Sequence, residues 1–159
     1  MGRMLLSLFF GLVIILAMTS ASIAHQAGGA EIGDLETGSV IGQPFKGLPV
    51  DLSFQAIELA GGQKLWYPPT AVLSVRDRTN PVVLKVTNGT AVEHGFYLSA
   101  DATFSAPTSL TVKIVLKPGE IKYIGIPSSD LTYTTAGNLF VYKCHLHEAH
   151  LGGQLLVLK

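Results

Sequence analysis

Cys144, His145, His147 and His150 crowd into one short stretch, YKCHLHEAHLGG, at residues 142–153. Cys144 is the chain's single cysteine, and three of its five histidines lie here. One thiolate and several imidazoles in so small a loop suit a soft or borderline metal ion, with copper and zinc the leading candidates. A lone cysteine cannot close an internal disulfide. A buried inert thiol and an intermolecular bridge stay open as alternatives, but a thiol three residues before His147 and six before His150 has the spacing of a ligand. His145 follows Cys144 directly, so it should project to the other side of the strand end, as a surface or neighbouring residue. Glu148 reads as a solvated loop residue.

The loop must be held by the elements around it. Residues 139–142 and 154–158 are apolar, rich in β-branched and aromatic types, and too short for stable helices, so both read as strands. Six further runs have the same texture: 51–59, 71–75, 82–87, 95–99, 112–116 and 120–126. Gly61-Gly62, Pro68-Pro69, Asn80-Pro81, Asn88-Gly89 and Pro118-Gly119 punctuate them. About eight short strands without a convincing helix predict an all-β Greek-key sandwich or barrel. Residues 48–159 form this domain, and 25–47, rich in small residues and without periodicity, read as a flexible N-terminal extension. Trp66, with Tyr67 and two prolines, reads as core or sandwich-end packing. In such a sandwich the entry of one strand and the loop before the last strand meet at one end. His94, at the entry of 95–99, is therefore a candidate partner for the loop.

Residues 1–24 have the basic start, apolar run and small-residue end of a secretory signal, with cleavage expected before His25. The apolar run of residues 4–18 is short for a membrane span of about 20 residues. An uncleaved anchor is the alternative, and it is the one route by which a membrane enters. The chain is expected to be exported, to the periplasm or beyond. As a mature N-terminus, His25 could chelate copper through its amine and ring; the plainer reading is an exposed tail histidine. Lys and Arg balance Asp and Glu at 11 each, and no basic stripe points to nucleic acid. A mean hydropathy of +0.41 partly reflects the signal. Asn88-Gly89-Thr90 matches a glycosylation acceptor triplet, relevant only in a eukaryotic secretory host.

His94, the Pro118-Gly119-Glu120 turn and Tyr142-x-Cys144-x-x-His147 before a final strand, in that order, resemble the cupredoxins. The resemblance covers about 50–159. His94-Gly95-Phe96 is also similar to the first ligand segment of the dinuclear copper domains of nitrous oxide reductase and cytochrome oxidase subunit II. The Cys144-to-His147 opening is similar to that of the nitrosocyanin-type red copper proteins. A dinuclear site needs two bridging thiolates, which one cysteine cannot supply. The resemblance implies a mononuclear copper site, one copper per chain, in which His94, Cys144 and His147 form a trigonal set suited to one-electron transfer. Zinc is a minor alternative. The departure is the fourth ligand: all three methionines lie in 1–18, and His150 stands where a methionine is usual. Glu93 is the carboxylate alternative. The function implied is an electron carrier serving redox proteins, with copper handling or binding of a small molecule such as nitric oxide as the alternative.

Overall fold

The structure, a computed structural model, describes residues 25–27, 29–101, 110–134 and 137–159. The proposed signal, 1–24, lies outside the described residues. Thirteen strands occur among those described. In chain order they begin β1 (His25–Ala27), β2 (Glu31–Gly33), β3 (Ser39–Val40) and β4 (Gln43–Pro44), then β5 (Leu52–Glu58), β6 (Lys64–Tyr67) and β7 (Thr70–Ser74). They continue with β8 (Val82–Asn88), β9 (His94–Ser99), β10 (Thr111–Leu116), β11 (Ile121–Ile126), β12 (Leu139–Lys143) and β13 (Gly153–Leu158). One sheet has the order β1-β10-β9-β12-β13-β7 and the other β2-β11-β8-β5-β6, with β3-β4 as a small separate ribbon. The chain passes repeatedly between the sheets, and β13 with β7 and β5 with β8 pair in parallel. This is the Greek-key β-sandwich that the eight runs imply, and each run coincides with a strand.

Alternation explains the core. In β5, Phe54 and Ala56 point inward; in β12, Phe140 and Tyr142; in β13, Leu155 and Val157. β8 departs from alternation because it is the middle strand of its sheet and both faces are covered. Its inward Val82, Leu84 and Val86 join the main core, while Val83 packs outside with Val40, Phe45 and Tyr123. Burial of this many large side chains, each contributing about 1.5–3 kcal/mol, makes the sandwich a rigid frame.

Three differences from the sequence reading follow from short or aperiodic segments. Residues 29–47, read as flexible, are folded onto the domain: β2 pairs with β11, and Val40 and Phe45 cover the outer face of β8. β6 is a four-residue edge strand beside Pro68-Pro69, too short for alternation to register. A six-residue helix, α1 (Ser128–Tyr133), follows Pro127; at under two turns it carries no 3.6-residue pattern.

Candidate metal centre

β9 and β12 are neighbours in the six-stranded sheet, and their register places Lys143 opposite Tyr97. One residue further on, Cys144 leaves β12 on the inward side, above Phe96. His94 opens β9 opposite Leu116 of β10 and also faces inward, fully buried. The 144–152 loop then returns over the same end. His94, Cys144 and His147 meet there, and their donor atoms all lie within 4.8 Å of one another. Cys144 Sγ stands 3.7 Å from His94 Nδ1 and 3.5 Å from His147 Nδ1. His94 and Cys144 are buried; His147 is exposed.

His150 reaches this cluster from the other side. It is buried, and its Nδ1 lies 3.0 Å from His94 Nδ1, but it is not a member of the mutually close triad. Its position is fixed by the edge strand β6. Leu151 forms a parallel bridge with Leu65: its N–H donates to Lys64 O, and Trp66 N–H donates to Leu151 O, both at 3.0 Å. The fully buried Trp66 stacks on His150, ring centres 5.4 Å apart and planes 16° from parallel. The turn closes tightly because Gly152 has no room for a Cβ against the Tyr142 carbonyl and the Lys143 Cα. Of the remaining sequence candidates, Glu93 is exposed, His25 lies in β1 at the sheet edge opposite Lys113, and Glu148 is exposed.

A second layer holds His94. Asn88, fully buried at the end of β8, donates to Val92 O at 2.7 Å and Leu116 O at 3.0 Å. It accepts from Thr90 N–H at 3.0 Å and Thr90 Oγ1 at 2.9 Å. One side chain thus ties the turn before β9 to the end of β10. Both amide hydrogens are spent on backbone carbonyls, and the Asn88 side chain is fully buried. Beneath the donors lies an aromatic floor: Trp66, Phe96, Phe54 and Tyr142, with ring centres 4.8–5.7 Å apart. Sequence reasoning missed the first, which the Asn-Gly turn hid; of the second it placed Trp66 in core or sandwich-end packing, as its full burial bears out, but not its stack on His150.

Electrostatics favour neutral imidazoles. Burial, then the neighbouring His150 and His147, lower the His94 pKa to about 4. Burial likewise lowers that of His150, against a smaller opposing effect of the Leu65 backbone. Neutral imidazole is the form that binds metal. His94 Nε2 is buried without a partner, and the two Nδ1 atoms are the ones that converge, 3.0 Å apart.

The donor spacing fits one ion. With nitrogen held at about 2.05 Å and thiolate sulfur at about 2.3 Å, N···S edges come to about 3.6–3.8 Å between tetrahedral and trigonal angles. The observed 3.7 Å falls in that range, and 3.5 Å lies just below its tetrahedral end. One thiolate and two imidazoles in this arrangement are a donor set for copper.

No family model matches this chain, and neither does any curated protein. Solved structures are similar at low identity. A reduced Cu(I) form of an amicyanin variant aligns over 69% of this chain and 84% of its own, at 12% identity and a TM-score of 0.44. Reduced auracyanin from the photosynthetic bacterium Roseiflexus castenholzii aligns over 68% and 96%, at 14% identity and 0.46. Both are cupredoxins. In this sandwich the His-Cys-His cluster occupies the end where β9 opens and β12 closes, with the frame strands fixing two of its three members.

Proposed function

We propose that this chain is an exported mononuclear copper protein that carries one electron. His94, Cys144 and His147 are its imidazole, thiolate and imidazole ligands, and His150 is a fourth donor. The observation that carries the reading is the convergence of three donor atoms within 4.8 Å at the end of a rigid sandwich. When bound, copper supplies a one-electron couple. The chain's own part is to keep the donors in place. His94 is anchored through Asn88 and Leu116, Cys144 by the end of β12, and His150 by Trp66 and the Leu151 bridge. Donors that are held in advance move little between oxidation states, which keeps reorganisation small. His147 is the exposed member of the set, so its ring edge is the exit for the electron toward a redox protein partner.

An imidazole at position 150 donates more strongly than a thioether and favours Cu(II), lowering the potential. A second reading has an observation of its own. His150 contacts His94 but stands outside the triad, so a position beside the metal could stay open for a small molecule or for copper transfer.

The test is the visible spectrum of the copper-loaded chain with its reversible reduction. Thiolate-to-copper charge transfer that bleaches on reduction and is absent in Cys144→Ser supports the carrier. A colourless, redox-silent protein that retains zinc in preference to copper overturns it. A spectrum that changes on adding azide or nitric oxide favours the second reading. Export is tested by the N-terminal sequence of secreted protein; a mature start at His25 is expected.

A further inference from the structure

We propose that β7 is a dimerisation edge: two copies of this chain pair their Thr70–Ser74 strands antiparallel across a two-fold axis at Val72. The two six-stranded sheets then continue into one.

Hydrogen-bond phase leaves half of the β7 backbone facing off the sheet. β7 ends the six-stranded sheet and pairs on one side only, in parallel with β13. Pro69 O accepts from Gln154 N–H at 3.0 Å, and Val75 N–H donates to Leu158 O at 2.8 Å. Along a strand the residues that bond one neighbour alternate, so Ala71 and Leu73 face β13 with Pro69 and Val75. The N–H and C=O groups of Thr70, Val72 and Ser74 therefore point outward. Soluble proteins usually blunt such an edge with a charge, a proline, a bulge or a short length. Residues 70–74, TAVLS, carry neither charge nor proline. β1 and β2, which end the two sheets elsewhere, have three residues each, and β6 has four, carries Lys64 and is bridged by Leu151.

The sequence of β7 selects a second copy as the partner, because it is complementary to itself when reversed. An antiparallel pair alternates hydrogen-bonded and non-hydrogen-bonded positions. With Val72 opposite Val72 of the second copy, Thr70 falls opposite Ser74, and the residues with outward groups all land on hydrogen-bonded positions. Each of their N–H groups then meets a carbonyl, and each carbonyl an N–H. The side chains match as well. Val72, 54% exposed on the outer face, packs on its counterpart. Thr70 and Ser74 are both exposed, and a Thr–Ser pair across two strands is a favourable hydroxyl contact. Arg76, the first charge beyond the strand, faces Pro68 of the second copy rather than a like charge. Register extends the match inward: Leu156 lies beside Val72 and Leu139 beside Leu156, all exposed. Pairing thus joins two apolar rows into one, in an isologous interface that closes at two copies. No donor of the metal cluster lies on β7, so this inference stands apart from the copper assignment.

The experiment is sedimentation velocity of the full-length, metal-free chain over a concentration series, with residue-resolved amide exchange at both ends of the series. Five-residue strands make a small interface of the transient class, so half-dimerisation is expected at roughly 10–100 μM. On dimerisation the Thr70, Val72 and Ser74 amides should slow together, while those of Ala71 and Leu73 are protected already in the monomer. Val72→Lys sets two ammonium groups opposite each other at the axis and should weaken dimerisation by about tenfold or more. Val72→Pro, which removes an N–H that only the partner uses, should do the same. Leu139→Lys, on the same face but two strands further in, should leave dimerisation unchanged. A monomer at every concentration up to about 1 mM, well above that range, overturns the proposal. So does association that Val72→Lys leaves at full strength, or that Leu139→Lys disperses, which would put the second copy on the sheet's face. Protection of the three outward amides that is equal at all concentrations also overturns it, since the chain would then cover its own edge. Because no metal is present, failure here leaves the copper reading intact, and failure of that reading leaves this result standing.

Discussion

Replacing Asn88 with alanine should cost far more than an ordinary polar-to-alanine change. The side chain makes four hydrogen bonds inside the sandwich end. Val92 O keeps a substitute, since Thr90 Oγ1 also donates to it at 3.1 Å. Leu116 O and Thr90 N–H lose the amide and are too enclosed to recover water. Each buried group left without a partner costs about 1–3 kcal/mol, so the variant should lose about 2–6 kcal/mol. Against a total of roughly 5–15 kcal/mol for a domain, that is a large fraction. At about 3–5 °C per kcal/mol for this size, the midpoint should fall by roughly 10 °C or more. Asn88→Asp keeps the acceptor but aims a carboxylate at two carbonyl oxygens, and should be no better. The assay is chemical denaturation of metal-free parent and variants with their thermal midpoints. Because Leu116 pairs with His94, copper affinity should weaken in parallel. A loss under about 1 kcal/mol, with copper binding unchanged, would refute the reasoning that Asn88 holds this end together.

Four further outcomes are expected. His150→Met should move charge-transfer intensity toward the longer-wavelength band and raise the potential, with each shift of about 59 mV a tenfold change in the one-electron equilibrium; an unchanged spectrum and potential would remove His150 from the site. Gly95→Ala should displace the His145 ring and destabilise the fold while leaving the copper spectrum close to parental, as denaturation and absorption together would show. The metal-free protein should lose stability as pH falls from 6.5 to about 4. Unfolded histidine takes up a proton near 6.5, whereas buried His94 and His145 resist until about 4, so these two residues make the slope positive between those values. Arg78→Lys should cost about 1–2 kcal/mol, because the paired contacts of Arg78 with Asp51 at 2.7 and 2.8 Å are lost; the copper spectrum, set at the opposite end, should not move.

The strands that build the sandwich were legible because burial writes itself into alternation and turn residues. Phe54 and Ala56 in β5, and Phe140 and Tyr142 in β12, show it plainly. The meeting of His94, Cys144 and His147 was legible for a different reason: a thiol and histidines at ligand spacing point to one shared centre, and a sandwich brings His94 to the loop. What stayed hidden depends on contacts between segments far apart in sequence. Val40, from a two-residue strand, and Phe45, from a single 3-10 turn, bury themselves on Val83 and Tyr123 with no period to read. The Trp66–His150 stack and the Leu65–Leu151 bridge join positions more than eighty residues apart. Asn88 looked like a turn residue, and only the closed fold reveals that its amide is spent on the Val92 and Leu116 carbonyls. His145 shows the same limit: strand alternation sent it outward, but its seat over Gly95 needs the neighbouring strand.

Copper ligation by Cys144 is tested most directly by X-ray absorption at the copper edge on the protein loaded with one equivalent of Cu(II). Ligation by Cys144 with imidazoles predicts a single short copper–sulfur scatterer together with two or three histidine shells, the sulfur vanishing in Cys144→Ser. A first shell of nitrogen and oxygen alone, identical in parent and Cys144→Ser, would contradict it.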